Sequence, residues 1–123
     1  MTDINQLSPL ALAFMGDAIH TAYVRKTVLS GNLNKMNNYH NQAKKFCNAK
    51  KQKETLEQIF DTLNDEEKEV VRRSRNAHSK HSAKNFDEET YKKATSFESL
   101  VGWLYLNEKH DRLNEILALS VQE

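Results

Sequence analysis

The chain has little of the material that tight turns, disulfides and membrane spans require. Its 123 residues include three glycines, one proline and one cysteine. Few glycines and prolines argue against an all-β fold, which needs many turns. Cys47 excludes an internal disulfide and fits a reducing cytoplasm, where a buried or inert thiol is expected. No apolar run approaches the roughly 18–20 residues of a membrane span, and the first residues lack the pattern of a secretory signal. We therefore expect a cytoplasmic protein with no membrane partner.

Length and composition predict a single domain over residues 1–123. Apolar residues make up 38% and charged residues 28% of the chain, which is typical of a globular protein with a highly charged surface. The net charge is only +1, but the charges are segregated. Segments 44–53 and 72–84 carry bases without acids, and the acids gather at 65–69 and 87–89. Basic clusters in a near-neutral protein indicate a surface for a polyanion, although the lysines of 44–53 are equally well explained as solubilising an exposed helix.

Apolar spacing and capping residues predict an all-α bundle. Ser8-Pro9 is a strong helix start, with serine as N-cap and proline at the first helical position. Asn64 caps another helix, whose first turn holds three acids. Residues 76–86 show no apolar periodicity and are expected to form an exposed loop. The seven predicted helices cover approximately 9–29, 34–48, 49–63, 65–75, 87–93, 95–107 and 110–121, with Thr95 or Ser96 starting the sixth.

Two acidic residues interrupt apolar helical segments. Asp17 lies within the apolar segment 10–19, and Glu98 lies beside Phe97 and before the apolar segment 100–106. A carboxylate in such a segment is costly to desolvate unless something positive pairs with it. A glycine accompanies each acid, at positions 16 and 102, and a glycine inside a helix usually marks close backbone approach. The coincidence predicts a shared metal site, and the alternative for either acid alone is a salt bridge to a neighbouring base.

Three segments of the chain resemble motifs of the ribonuclease III family. Phe14-Met15-Gly16-Asp17-Ala18 is similar to the centre of the first motif of that family, and Phe97-Glu98-Ser99-Leu100-Val101-Gly102 is similar to the second. Arg72-Arg73-Ser74-Arg75-Asn76-Ala77 resembles a stretch of the Mini-III subgroup, with serine at 74 where the subgroup has glycine. The resemblance implies a helical ribonuclease III-type endonuclease domain, and we expect no double-stranded-RNA-binding domain after it.

The resemblance implies a metal-dependent endoribonuclease that hydrolyses phosphodiesters in double-stranded RNA and matures the ends of 23S ribosomal RNA. Asp17 and Glu98 match the family's metal ligands and are the expected catalytic residues. Larger members carry four further acids at positions that hold Leu10, Ala13, Thr95 and a residue near Ser30 here, but the Mini-III subgroup has a similarly reduced set. Two carboxylates suit Mg²⁺, which keeps several waters and takes one or two protein carboxylates. Mn²⁺ is the alternative ion.

The basic segment that follows position 71 is the expected RNA-binding surface. A-form RNA is read by shape, through phosphates and 2′-hydroxyls, which calls for bases and small polar groups. Its predicted contacts are Arg72, Arg73, Arg75, Asn76, Lys80 and Lys84. The alternative is a solvated loop. His78 and His81 are expected to lie near RNA at most.

Cutting both strands of a duplex calls for two sites related by a two-fold axis, which predicts a homodimer. In the family, the aromatic residue of the first motif fills a socket in the partner, so the resemblance places Phe14 at the dimer interface. Ordinary core burial of Phe14 is the alternative, and Trp103, Tyr105 and Leu106 are expected in the core. The resemblance also suggests a ribosomal protein as a partner. The competing function is a catalytically inactive helical RNA-binding or ribosome-associated protein.

Overall fold

The computed structural model describes residues 3–31, 35–77 and 87–123, and every regular element in these ranges is a helix. Six α-helices and two short 3-10 turns, Ile4–Gln6 and Phe60–Thr62, follow one another along the chain. The α-helices are α1 (Pro9–Leu29), α2 (Met36–Lys44), α3 (Ala49–Ile59), α4 (Asp65–Asn76), α5 (Glu88–Leu106) and α6 (His110–Ser120). The predicted all-α fold is therefore confirmed. None of these helices has both the length and the apolar character that crossing a membrane requires.

Local capping starts α1 and α4 where the sequence predicts. The Ser8 hydroxyl oxygen accepts a hydrogen bond from the Ala11 amide at 3.1 Å. At α4, the Asn64 side chain accepts from the Glu67 amide at 2.9 Å, and the Glu67 carboxylate accepts from the Asn64 amide at 3.0 Å. This reciprocal capping box satisfies two amides that have no partner within the helix.

The fifth and sixth predicted helices are a single helix, α5. The predicted start at Thr95 or Ser96 is wrong, because both residues are buried inside α5 and Thr95 Oγ1 donates to the Tyr91 carbonyl one turn earlier. Asp87 caps α5 instead, accepting from the Glu89 amide at 3.1 Å. Packing on three sides extends the helix through short polar residues that would favour a cap at an exposed position.

Helix α5 is the centre of the bundle and packs against α1, α3 and α4. Its residues Phe97, Leu100, Val101 and Leu104 have no exposed surface. Met36 on α2 and Phe60 after α3 follow the apolar spacing that predicts a buried side chain, yet both are exposed. Trp103 is buried as predicted, whereas Tyr105 is exposed.

Helices α1 and α5 cross with their backbones in contact at the two glycines. A Cβ atom built on Gly16 would lie 1.8 Å from the Glu98 carbonyl oxygen, and one built on Gly102 would lie 2.0 Å from that of Leu12. Real Cβ atoms do not approach other atoms so closely, so only glycine fits at either position. This crossing sets the positions of the two acids beside it.

Candidate active site

The two predicted carboxylates meet beside the glycine crossing. Asp17 follows Gly16 on α1, and Glu98 belongs to the turn of α5 whose carbonyl lies against Gly16. The Glu98 carboxyl is within hydrogen-bond reach of Asp17. Burial, followed by the hydrogen bond and the charge of Asp17, raises the pKa of Glu98 to about 8. Asp17 and Glu98, which are 81 positions apart in the chain, therefore lie close together in the fold.

A chain of buried polar groups reaches Glu98 from the side of the protein interior. The Gln52 side chain on α3 reaches toward the Glu98 carboxyl, where its amide favours the charged form and so opposes the rise in the pKa of Glu98. The Gln52 amide nitrogen also lies 3.3 Å from Nδ1 of His20 on α1, and Nε2 of His20 lies 3.2 Å from the Ser120 hydroxyl on α6. Burial lowers the pKa of His20 to about 4, against the opposing charge of Asp17, so the ring is neutral near pH 7.

Cys47 borders the same site. Its thiol hydrogen-bonds with Thr21, and the charges of Asp17, Arg25 and Glu98 all act on it. Burial raises the pKa of the Cys47 thiol, so the group stays protonated near neutral pH. A protonated thiol is neither a nucleophile nor a metal ligand, which supports the expectation of an inert cysteine.

The carboxylate pair fits a hard divalent cation. In the described part of the chain, no three histidine, cysteine or acidic side chains come together to hold a metal. Two carboxylates suffice for Mg²⁺ when waters and substrate oxygens complete its six ligands. A cation held by Asp17 and Glu98 would also offset the burial and the repulsion that raise the pKa of Glu98. Neither acid joins an ion pair among the residues that the structure describes, which argues against the salt-bridge alternative.

The predicted RNA-binding residues of α4 lie at the C-terminal end of that helix, exposed to solvent. Arg72 pairs with Glu69 in the preceding turn, and Arg75 pairs with Glu89 of α5 at 2.5 Å. Arg73 and Asn76 are exposed beside them. Four of the predicted RNA contacts therefore lie on α4: Arg72, Arg73, Arg75 and Asn76. The other two, Lys80 and Lys84, lie outside the described residues, as do His78 and His81.

Ser74 attaches this end of α4 to the helix that carries Glu98. Its fully buried hydroxyl lies 2.9 Å from the hydroxyl of Ser99, the residue after Glu98. Ser99 in turn donates to the Pro9 carbonyl at the start of α1, at 2.8 Å. Buried hydrogen bonds therefore join α1, α4 and α5, the helices that carry the arginines and the carboxylate pair.

Phe14 projects into solvent one turn before Asp17. Its side chain is 83% exposed, so the alternative of ordinary core burial is wrong. Leu10, one turn earlier on the same face, is 51% exposed. Two large apolar side chains that stand together at the surface are typical of a protein interface.

Comparison with known proteins identifies the family. The family model described as Ribonuclease III domain matches residues 10–109, a span that includes both carboxylates. The chain belongs to this family. Its curated relatives include the Mini-ribonuclease 3 of Thermoanaerobacter sp., which is 43% identical over 94% of this chain and 82% of the relative. The Mini-ribonuclease 3 of Streptococcus pneumoniae is 34% identical over 100% of this chain and 98% of the relative.

A solved structure supports the same assignment. A crystal structure of a protein from Fusobacterium nucleatum matches with a TM-score of 0.88 and 30% identity, covering 98% of this chain and 97% of that chain. The predicted resemblance, the ribonuclease III-type helical fold and the prediction of an endoribonuclease are thereby confirmed. Members of the family generally use a divalent metal and act on double-stranded RNA.

Sequence reasoning missed the groups behind the carboxylates, Gln52 and His20. A signal for Gln52 was present, because it extends the buried stripe of Leu56 and Ile59 by one turn toward the helix start. A polar residue on such a stripe needs a buried partner. His20 carried a weaker signal, since its partners come from α3 and α6.

Proposed function

We propose that this protein is a divalent-metal-dependent endoribonuclease that hydrolyses phosphodiester bonds in double-stranded RNA as a homodimer. The observation that carries the proposal is the contact between the Asp17 and Glu98 carboxyl groups within the family-matched region. A binding protein has no use for two acids that repel the phosphates of its ligand. Paired acids do serve a nuclease, because they hold a cation where the phosphate must lie.

Asp17 and Glu98 would hold the ion, with Mg²⁺ as the expected metal and Mn²⁺ as its substitute. When bound, such an ion stabilises negative charge on the phosphate and acidifies water at the site. The protein itself must keep the two carboxylates ionised and correctly oriented. Gln52 donates to Glu98 and thereby favours the ionised carboxylate that a cation needs. The expected products carry a 5′-phosphate and a 3′-hydroxyl.

The exposed end of α4 would bind the RNA backbone. Among the described residues, Arg72 and Arg75 pair with Glu69 and Glu89, whose side chains are themselves at least two-fifths exposed. Such surface pairs contribute little to stability, so RNA phosphates can replace the acids. Asn76 adds a hydrogen-bonding group for ribose or phosphate oxygens. Lys80 and Lys84 extend the proposed surface along the sequence.

The exposed pair Leu10 and Phe14 supports a homodimer. A C₂ dimer presents the same patch from both subunits, and α1 carries Phe14 and Asp17 on neighbouring rows of one face. Burying Phe14 against a second copy would therefore place the carboxylate pair of each subunit close to the dimer interface. The expected substrate is a 23S ribosomal RNA precursor in the cytoplasm, with a ribosomal protein as a further partner.

Incubation of the purified protein with a labelled RNA duplex, with Mg²⁺ or with a chelator, tests this function. We expect cleavage only with the metal, and an Asp17→Asn variant should lose at least about a hundredfold in rate, since even the hydrogen-bond partners of metal ligands matter by 10–100-fold. Asp111→Asn is the matched control, because Asp111 is exposed at the start of α6. Binding of the duplex without cleavage would select the inactive RNA-binding protein instead.

The substrate is tested by comparing a transcribed 23S precursor stem with a scrambled duplex of equal length. Faster cleavage of the precursor at a single position, alone or with the ribosomal protein that binds it, is the expected result. Equal and unselective cleavage would leave the nuclease in place and remove the substrate assignment.

A further inference from the structure

A polar network inside the protein ends on the Glu98 carboxylate. Gln52, His20 and Ser120 are 8%, 1% and 1% exposed, and they come from α3, α1 and α6 respectively. Buried polar groups must find partners within the protein, because water cannot supply them. These groups therefore form one connected series of hydrogen bonds that begins at the α6 backbone and leads toward the carboxylate.

Its donors and acceptors fit together in one direction. The Ser120 hydroxyl donates to the Leu117 carbonyl at 2.6 Å, so its oxygen is left to accept from Nε2 of His20. A neutral His20 with its proton on Nε2 has an acceptor at Nδ1, which receives one hydrogen of the Gln52 amide. The second amide hydrogen of Gln52 is then available to the Glu98 carboxylate, whose charged form this amide favours. Each group thus fixes the orientation of the next one.

The segment around Glu98 is held from a second direction as well. The ring of His20 packs edge-on against Phe97, with centroids 5.1 Å apart and planes at 79°. Phe97 has no exposed surface and directly precedes Glu98. His20 therefore constrains both the backbone that carries Glu98 and the amide that contacts its carboxylate.

Stability alone does not account for this arrangement. Replacing buried hydrogen-bonded partners by apolar groups of the same shape is often nearly neutral. We therefore infer that the buried glutamine, histidine and serine serve to orient the carboxylate at the end of the network. The partners of metal-ligating side chains have this role in other proteins, where they fix ligand direction.

We propose that Gln52 is a positioning residue for Glu98, and that His20 sets the direction of the Gln52 amide. The inference rests on the proposed function, because the direction of Glu98 matters only when that carboxylate holds a cation. Loss of the Gln52 amide should weaken cation binding by about 10–100-fold, the range for hydrogen-bond partners of metal ligands.

Direct Mn²⁺ binding tests the proposal without relying on turnover. Free Mn²⁺ is measured by electron paramagnetic resonance while the protein without RNA is titrated. Gln52→Met keeps the length and volume of the side chain and removes the amide, so its dissociation constant should rise at least about tenfold. Thr55→Val is the matched control: Thr55 is also buried on the same helix, but its hydroxyl donates to the Lys51 carbonyl within α3. The control should bind Mn²⁺ like the wild type.

The same variants separate positioning from loss of structure. In cleavage assays, Gln52→Met should need more Mg²⁺ for half-maximal rate and recover most of its rate at saturating Mg²⁺. A variant that is only less well folded would show a lower maximal rate at an unchanged Mg²⁺ requirement. That second pattern, or Mn²⁺ affinity equal to that of the wild type in a folded Gln52→Met, would overturn the proposal.

A pair of substitutions at His20 gives an independent route if Gln52→Met fails to fold. His20→Leu removes the acceptor for Gln52, and His20→Asn restores an acceptor oxygen near the position of Nδ1. We expect weaker Mn²⁺ binding in His20→Leu and partial rescue in His20→Asn. Equal affinities in the two variants would contradict the role of His20. If the wild type binds Mn²⁺ no better than Asp17→Asn, the proposed metal site itself is wrong. If the wild type binds Mn²⁺ more tightly than Asp17→Asn but the Gln52 and His20 variants bind it like the wild type, only this inference is wrong.

Discussion

Replacing Gly16 by alanine is the sharpest test of how this fold builds its site. The added Cβ would lie 1.8 Å from the Glu98 carbonyl oxygen and 2.9 Å from the Gly102 amide nitrogen, whereas ordinary contacts begin at 3.4 Å. Both neighbours are backbone atoms, so no side-chain rotation can relieve the overlap. Helices α1 and α5 have to separate along the line where they pack most closely.

The expected destabilisation follows from two opposing effects. Overpacking a well-packed core costs roughly 1–3 kcal/mol and occasionally more, and a clash with two rigid backbones belongs at the upper end. Alanine returns about 1 kcal/mol through its better helix propensity. We expect Gly16→Ala to lower the free energy of unfolding by about 2 kcal/mol, which corresponds to roughly 6–10 °C in Tm for a chain of this size.

Urea unfolding followed by circular dichroism at 222 nm measures this change. Wild type and variant are compared at one protein concentration, because a dimer makes apparent stability depend on concentration. Gly31→Ala is the matched control: Gly31 follows the end of α1, and in the part of the chain that the structure describes its new Cβ would meet only the Val28 carbonyl oxygen, at 3.2 Å. The control should stay within about 0.5 kcal/mol of the wild type. A Gly16→Ala protein as stable as the wild type, or more stable, would refute the close backbone approach.

The same substitution should affect catalysis more than stability suggests. Separating α1 from α5 moves Asp17 away from Glu98, and a misplacement of about 1 Å can cost about a hundredfold in rate. We expect the folded fraction of Gly16→Ala to cleave duplex RNA about a hundredfold more slowly. Cleavage at the wild-type rate by the folded variant would show that the glycine crossing does not position the two acids.

Three further predictions follow from single contacts. Without metal, the raised pKa of Glu98 means that the folded protein keeps a proton that the unfolded chain loses above about pH 4.5. The free energy of unfolding should therefore fall as the pH rises from about 4.5 to about 8. Urea titrations should find Glu98→Gln as stable as the wild type at pH 4 and, allowing for solvent screening, about 2 kcal/mol more stable at pH 9. Arg112→Met should cost about 3 kcal/mol in urea unfolding, because it leaves the buried Glu67 carboxylate without the guanidinium 3.0 Å away; a smaller loss than that of Glu69→Gln would contradict this. Phe14→Ala should shift sedimentation toward the monomer without lowering monomer stability, since the side chain is 83% exposed; an unchanged dimer would remove Phe14 from the interface.

Features set by neighbouring residues could be predicted from the sequence. The starts of α1 and α4 depend on the Ser8 and Asn64 side chains, which bond to amides three positions away. The close approach at Gly16 and Gly102 could be inferred because a glycine inside an apolar helix otherwise only weakens it. The carboxylate pair was predictable for a related reason, as an acid in an apolar stripe needs a partner.

Features that depend on distant packing could not be predicted. Thr95 and Ser96 favour a helix start only where they are exposed to water. Because α5 packs between three other helices, both residues are buried and the helix continues through them. Met36 has the spacing of a buried residue, yet it is exposed because α2 contacts little besides α1. The network behind Glu98 joins positions 20, 52 and 120, and no local pattern indicates that these side chains meet.

The glycine crossing, the raised pKa of Glu98 and the buried network all act on the same pair of carboxyl groups. Contact between the α1 and α5 backbones at Gly16 forces the neighbouring Asp17 and Glu98 side chains together. Their repulsion and the burial of Glu98 make the ionised pair unfavourable without a cation, and the Gln52 amide opposes this only in part. A divalent cation held by the two acids, as proposed, would reverse this balance, because both carboxylates would then be attracted to the same positive charge. The burial and repulsion that disfavour two ionised acids would therefore favour binding of the ion that the proposed reaction requires.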